Sequence, residues 1–176
     1  MKKEKLQDYI TTIPDFPKEG IMFRDITTLV KDPDGLNMAI RQLCECIKDV
    51  DFDLVLGLES RGFFFAPIIA YEMKKGFIPV RKEGKLPRET LSCSYDLEYG
   101  EEVIEIHKDA INKGDKVVIV DDLIATGGTL EATCKMVEAL GGQIEKIVVV
   151  TELMGLNGRD KLAGYDFQSL IKYPGK

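Results

Sequence analysis

The chain has 176 residues, the length of one ordinary domain and enough to bury a core without disulfides or metals. Hydrophobic residues make up 44% and charged residues 31%, which excludes a disordered, collagen-like or coiled-coil chain. Lys and Arg number 24 against 30 Asp and Glu, so the formal net charge is −6 and a whole-chain basic footprint for nucleic acid is absent.

The start, MKKEKLQDYI, lacks the apolar stretch of a secretory signal. The longest apolar run, FFFAPIIAY at 63–71, is far short of the roughly 20 residues of a membrane span. Residues 12–28 carry Pro14, Pro17 and Gly20 and stand apart from any regular period. Leu36, Ala39, Ile40, Leu43, Cys44 and Ile47 recur at spacings of three and four and predict one apolar helix face. The short apolar run 54–56 predicts a strand ending at Gly57. A helix follows, with Pro67 tolerable in its first turn. Residues 77–80 predict a strand. Residues 82–106 read as a charged loop leading into two strands around Tyr99 and Gly100, an antiparallel excursion of the kind that forms lids. KVVIV at 116–120 is β-branched and continuous, as a strand buried on both faces should be. A helix is predicted from about Thr129 and stops at Gly141 and Gly142. Residues 144–150 form another buried strand. This alternation predicts an α/β fold, a mainly parallel sheet with helices on both faces. Cys44, Cys46, Cys93 and Cys134 form no CxxC pair and are expected as reduced thiols in a cytoplasmic protein. His107, the single His, lacks evident partners for a triad or a zinc site and is read as structural.

The segment VVIVDDLIATGGT, 117–129, carries the chemistry. A buried strand is expected to end at Asp121 and Asp122. Ala125, Thr126, Gly127, Gly128 and Thr129 follow, and then a helix begins. Ligands of open α/β sheets bind at the carboxyl ends of strands. A glycine-rich turn into a helix offers free backbone N–H groups to an anion, and the threonines add hydroxyl donors. The adjacent carboxylates repel each other at a buried strand end and would repel a phosphate, but they suit sugar hydroxyls. The ligand so described is a phosphorylated sugar. A dinucleotide fingerprint G-x-G-x-x-G is absent, and no Lys follows the glycines as a nucleoside-triphosphate loop requires.

The same segment resembles the phosphoribosyl-diphosphate-binding motif of the type I phosphoribosyltransferases, position by position. FPKEGIMFRDIT (16–27), GLESRGFFFAP (57–67) and RKEGKLPRETLSCSYDLEYG (81–100) resemble the adenine-using branch of that family, so the resemblance covers nearly the whole chain. It implies one domain over residues 1–176, with an N-terminal hood at about 1–30 and a β-hairpin lid at about 82–106. It implies the reaction of adenine with 5-phosphoribosyl 1-diphosphate to give AMP and diphosphate, with Mg²⁺, in purine salvage by a homodimer. Asp121 and Asp122 would hold the ribose hydroxyls, and Ala125, Thr126, Gly127, Gly128 and Thr129 the 5′-phosphate. Ser60, Arg61, Gly62, Arg81, Lys82 and Lys85 would bind the diphosphate. Phe23 would stack on the purine opposite Leu123, while backbone groups of Met22 and Arg24 read its edge. Glu98 would be the acid/base, with Arg61 assisting catalysis, and Tyr99 would belong to the lid. No protein side chain is implied as a direct metal ligand.

Two other functions are compatible with the sugar-diphosphate motif. One is a sister transferase using hypoxanthine, guanine or xanthine. The other is a non-catalytic regulator that senses the sugar diphosphate. Such a regulator needs a basic DNA-binding segment, whereas residues 1–30 hold five Lys/Arg against five acids.

Overall fold

The computed structural model describes residues 3–96 and 100–175. The chain opens with a single 3-10 turn, followed by an antiparallel ribbon of β1 (Thr11–Pro14) and β2 (Met22–Asp25). Then come α1 (Thr27–Lys31), α2 (Pro33–Ile47), β3 (Leu54–Leu58), α3 (Ala66–Glu72) and β4 (Gly76–Lys82). The second half holds β5 (Thr90–Asp96), β6 (Glu101–His107), β7 (Lys116–Ile124), α4 (Gly128–Ala139), β8 (Gln143–Leu153) and β9 (Phe167–Tyr173).

Local chemistry sets several of these boundaries. Asp32 caps α2, its carboxylate accepting from the backbone N–H of Asp34 and Gly35, and Pro33 occupies the first turn where its missing N–H costs nothing. Such a cap contributes about 1 kcal/mol. Pro67 likewise sits in the first turn of α3. After α4 the chain turns through Gly141 at φ +87°, a conformation that glycine adopts without strain.

The main sheet has seven strands in the order β5-β6-β4-β3-β7-β8-β9. The five from β4 to β9 run parallel, while β6 pairs antiparallel with both β4 and β5. Strand β7 lies centrally and shows why the parallel core is stable. Its Val118 and Val120 pack with Leu43, Ile47, Phe65 and Ile69 from α2, α3 and the turn before α3. Its Val117 and Ile119 pack on the opposite face with Leu130, Cys134 and Val137 of α4. Each such side chain, fully buried, contributes on the order of 1.5–3 kcal/mol. Among the described residues no helix is long and apolar enough to cross a membrane. All four cysteines are free thiols.

The α/β alternation is as the sequence predicts, with three differences, the first being the β1–β2 ribbon formed where residues 12–28 show no regular period. Strand β7 does not stop at the acids but continues to Ile124, so Asp121 and Asp122 are strand residues. The β7 backbone pairs with β8 on either side of Asp122 (Asp121 with Val149, Leu123 with Thr151), and this ladder outweighs the poor strand propensity of Asp. Strand β9 and the short helix α1 carry no distinct period and are absent from the sequence expectation. Both are held by tertiary packing, Ile171 and Leu29 being buried in the same cluster.

Candidate active site

The carboxyl ends of β3 and β7 converge on a cavity of about 350 Å³. Strand β7 brings Asp121, Asp122 and Leu123 to its wall, and the turn into α4 brings Ala125, Thr126, Gly127, Gly128 and Thr129. Ser60 and Arg61, following β3, and Lys82, ending β4, form the basic side. Thus the acid pair, the small-residue turn and two cations share one space.

The small-residue turn is built by close packing. Gly127 has φ +79° and precedes the first residue of α4. A Cβ on it would lie 2.4 Å from the Gly158 carbonyl oxygen, so both space and conformation demand glycine. A Cβ on Gly128 would lie 3.0 Å from the Tyr95 ring. The N-terminal end of α4 therefore opens into the cavity with its backbone N–H groups and positive dipole end.

The acid pair is electrostatically costly. Burial raises the Asp121 carboxyl well above its ordinary 3.8, and the adjacent Asp122 carboxylate adds to the rise. Burial also raises Asp122, while the Arg61 guanidinium pulls it back. Arg61 Nε lies 2.9 Å from Asp122 Oδ2, an ion pair without hydrogen-bond alignment. Asp122 is only 4% exposed, and Arg61 is the cation within reach of it. Arg61, expected as a diphosphate clamp, is thus paired with Asp122, expected at the ribose. Gly62, expected at the diphosphate, packs against Asp121. A Cβ there would lie 2.9 Å from Asp121 Oδ1, so this glycine clears room for the carboxylate.

The basic stretch after β4 is tied down by acids that carry no local sequence signal. Glu59 accepts from Arg81 Nε at 3.1 Å and from the Lys82 backbone N–H at 2.9 Å, joining the Ser60 turn to β4. Lys82 Nζ donates to Glu102 at 3.0 Å, and the Tyr95 hydroxyl donates to the other oxygen of that carboxylate at 2.6 Å. Burial and this bond push the Tyr95 phenol up to about 12. Glu105, nearly buried, accepts from the Gly84 N–H and from the hydroxyls of Thr90 and Ser92, shaping the turn that carries Lys85. Arg81 and Lys85 do not line the cavity; Arg81 faces Glu59, and Lys85 is exposed. Glu59, Tyr95 and Glu102 do line it. Tyr95 was legible in principle, since Leu91, Cys93 and Tyr95 alternate along one face of β5.

The hood residues sit apart from the cavity walls. Phe23 is half-buried, meets Phe16 edge to face at 5.1 Å and lies 5.8 Å from the Arg61 guanidinium. Met22 is exposed, 39% of its surface being free. The Arg24 side chain donates to the Thr12 hydroxyl and stacks on Tyr173 at 4.0 Å, which leaves its backbone as the part available to a ligand. Glu98 and Tyr99 lie outside the described residues.

Residues 29–169 match the phosphoribosyl transferase domain family. An adenine phosphoribosyltransferase of Lachnoclostridium phytofermentans is 58% identical, over 98% of this chain and 99% of that protein. The chain belongs to the adenine phosphoribosyltransferase family. Among solved structures, the adenine phosphoribosyltransferase of Thermoanaerobacter pseudethanolicus superposes with a TM-score of 0.92 at 53% identity, covering 96% of this chain and 98% of that one. The Saccharomyces cerevisiae enzyme, solved with an imino-altritol bisphosphate and adenine, gives 0.88 at 40% identity, covering 94% and 96%. The adenine phosphoribosyltransferases thus share the parallel sheet that carries this cavity, the type I phosphoribosyltransferase fold.

Proposed function

We propose that this cavity is where the chain joins adenine to the ribose of 5-phosphoribosyl 1-diphosphate, releasing diphosphate and forming AMP. The chain is by family a pentosyltransferase of purine salvage. One observation carries the assignment of roles: the small-residue turn, the acid pair and the Ser60–Arg61 turn face one cavity. The 5′-phosphate goes to Ala125, Thr126, Gly127, Gly128 and Thr129, where the helix end favours an anion. The ribose hydroxyls donate to Asp121 and Asp122. The diphosphate meets Ser60, Arg61, Gly62 and Lys82, with Arg81 and Lys85 arrayed behind.

Phe23 and Leu123 enclose the purine from two sides, and backbone groups of Met22 and Arg24 read its edge. Nucleophilic attack leaves a proton to be lost from the base, and Glu98 is the carboxylate assigned to take it. The transition state resembles an oxocarbenium ion, as in other glycosyl transfers, so the protein supplies orientation and charge stabilisation. The hairpin of β5 and β6, which Tyr99 joins in sequence, excludes water from that cation.

Mg²⁺ fits this site as a partner of the substrate. Among the described residues no three ligating side chains converge on one point. Asp121 and Asp122 would hold water bound to the ion, which would neutralise charge on the leaving diphosphate. Free thiols fit a reducing cytoplasm. A homodimer is the proposed assembly; the exposed rings of Phe64 (39%) and Tyr71 (81%), near one another in sequence, offer apolar surface for it.

The Asp121 carboxyl gives a pH test with a definite sign. Its folded value lies above its unfolded one, so the folded state is favoured in acid and that benefit is lost as pH rises through the folded value. Asp121→Asn removes the cost. The variant should melt at a higher temperature than the parent near neutral pH, the gap shrinking as pH falls. Its KM for phosphoribosyl diphosphate should rise about tenfold, roughly one charged hydrogen bond. An unchanged KM would remove Asp121 from the ribose site.

Base choice is tested by competition of labelled adenine and hypoxanthine for a limiting supply of phosphoribosyl diphosphate. AMP should form almost exclusively. Equal consumption of hypoxanthine would show a sister specificity. Absence of diphosphate release with any purine would show a sensing protein.

A further inference from the structure

Behind the small-residue turn, outside the cavity lining, lies a second layer of contacts that no step of the reaction uses. Glu152, near the end of β8, is 4% exposed and pairs in register with Ile124, the residue just before the turn. Its carboxylate receives both arms of the Arg159 guanidinium, Nε at 2.9 Å and Nη2 at 2.7 Å. The Ser169 hydroxyl of β9 donates to the same carboxylate. The Arg159 guanidinium also lies over the Phe167 ring at 4.7 Å. A bidentate pair of this kind fixes direction as well as distance. It anchors the turn that begins at Asn157, which adopts the left-handed conformation at φ +53°.

That anchored turn presses Gly158 onto the phosphate turn. A Cβ on Gly158 would lie 2.3 Å from the Ala125 carbonyl oxygen and 2.9 Å from the Gly127 nitrogen. The contact is reciprocal, since a Cβ on Gly127 would meet the Gly158 carbonyl. Two backbones therefore touch with no side chain between them. The Thr151 hydroxyl reinforces the adjoining strand by donating to the Asp122 carbonyl at 3.0 Å.

We propose that Glu152, Gly158 and Arg159 are positioning residues for the phosphoribosyl group: they form a brace that holds the backbone N–H groups of residues 125–129 in place for the 5′-phosphate. The proposal rests on the assignment of that turn to the phosphate. A turn of small residues has little rigidity of its own. Its affinity for an anion depends on its N–H groups converging before the ligand arrives. The brace supplies that order from outside the cavity, and none of its three residues lines the cavity.

The test uses Arg159→Lys, which keeps the charge but loses the two-armed bond, and Gly158→Ala, which pushes directly on Ala125. Each is measured for the Kd of ribose 5-phosphate, for the KM of both substrates and for melting temperature. The brace predicts that ribose 5-phosphate binding weakens and the KM for phosphoribosyl diphosphate rises, each about tenfold, as misplacing a positioned group does. The KM for adenine should stay within about twofold of the parent value, tenfold being the ~1.4 kcal/mol scale of the effect sought. Folded variants with unchanged ribose 5-phosphate affinity would overturn the brace. So would an equal rise in both KM values, which would mean general loosening. Gly127→Val separates the two assignments. If it abolishes ribose 5-phosphate binding while the brace variants bind normally, the phosphate turn stands and the brace falls. If it too binds normally, the phosphate turn falls and the brace with it.

Discussion

Gly127→Val should lower kcat/KM for phosphoribosyl diphosphate by about 10² or more, some 2.7 kcal/mol of transition-state binding. Three effects act in the same direction. Gly127 has φ +79°, a region that costs an L-residue roughly 1–2 kcal/mol and a β-branched one more. The new Cβ would lie 2.4 Å from the Gly158 carbonyl oxygen, so one of two backbone segments must move. The segment free to move is the one facing the cavity, because the other is tied through Arg159 to Glu152. The N–H groups at the start of α4 then no longer converge on the phosphate. Steady-state kinetics at saturating adenine would show the loss mainly in the KM for the sugar diphosphate. A variant with parental kinetics would mean that the phosphate does not sit on this turn.

Glu98→Leu should leave substrate affinity near the parental value and reduce kcat by about 10²–10⁴, the span usually attributed to a positioned acid/base. Leu removes the carboxylate while nearly conserving side-chain volume. Glu98 falls in sequence between β5 and β6, and the described residues on either side, Tyr95 and Glu102, line the cavity. Of the other carboxylates at the cavity, Glu59 and Glu102 are committed to Arg81, Lys82 and Tyr95, and Asp122 to Arg61. Glu98 is the one that the family resemblance assigns to the base. A change confined to KM would reassign it to binding.

The parallel core was legible because its signals are local. The run KVVIV needs no partner to announce a strand buried on both faces, and the three-and-four spacing from Leu36 to Ile47 announces a helix face by itself. The small-residue turn at the cavity was equally legible, since small residues, acids and a following helix lie together in thirteen consecutive residues, 117–129. Long-range contacts were not. Nothing near Asp121 signals that β7 runs on to Ile124, because the ladder that extends it belongs to β8. Glu59 reads as a solvated acid until β4 returns alongside β3 and delivers Arg81 and Lys82 to it. The Glu152–Arg159 pair spans seven residues that include two turns, so no helical or strand period links them. Gly62 was legible as a glycine that permits close approach, but what approaches it is Asp121.

These contacts also explain how the site tolerates its charges. A half-buried and a buried carboxylate side by side disfavour the fold, and the protein offsets this with Arg61 and with the backbone N–H of Asp122, which donates to Asp121 Oδ1 at 2.8 Å. The overall charge of −6 conceals this grouping: Asp121 and Asp122 line one cavity together with Arg61 and Lys82.

A crystal structure of the protein with AMP bound tests this division of charge most directly. The account predicts the 5′-phosphate within hydrogen-bond distance of backbone N–H groups in residues 125–129, with the ribose hydroxyls on Asp121 and Asp122. A phosphate seated instead among Arg61, Lys82 and Lys85, with the ribose turned away from the acid pair, would contradict it.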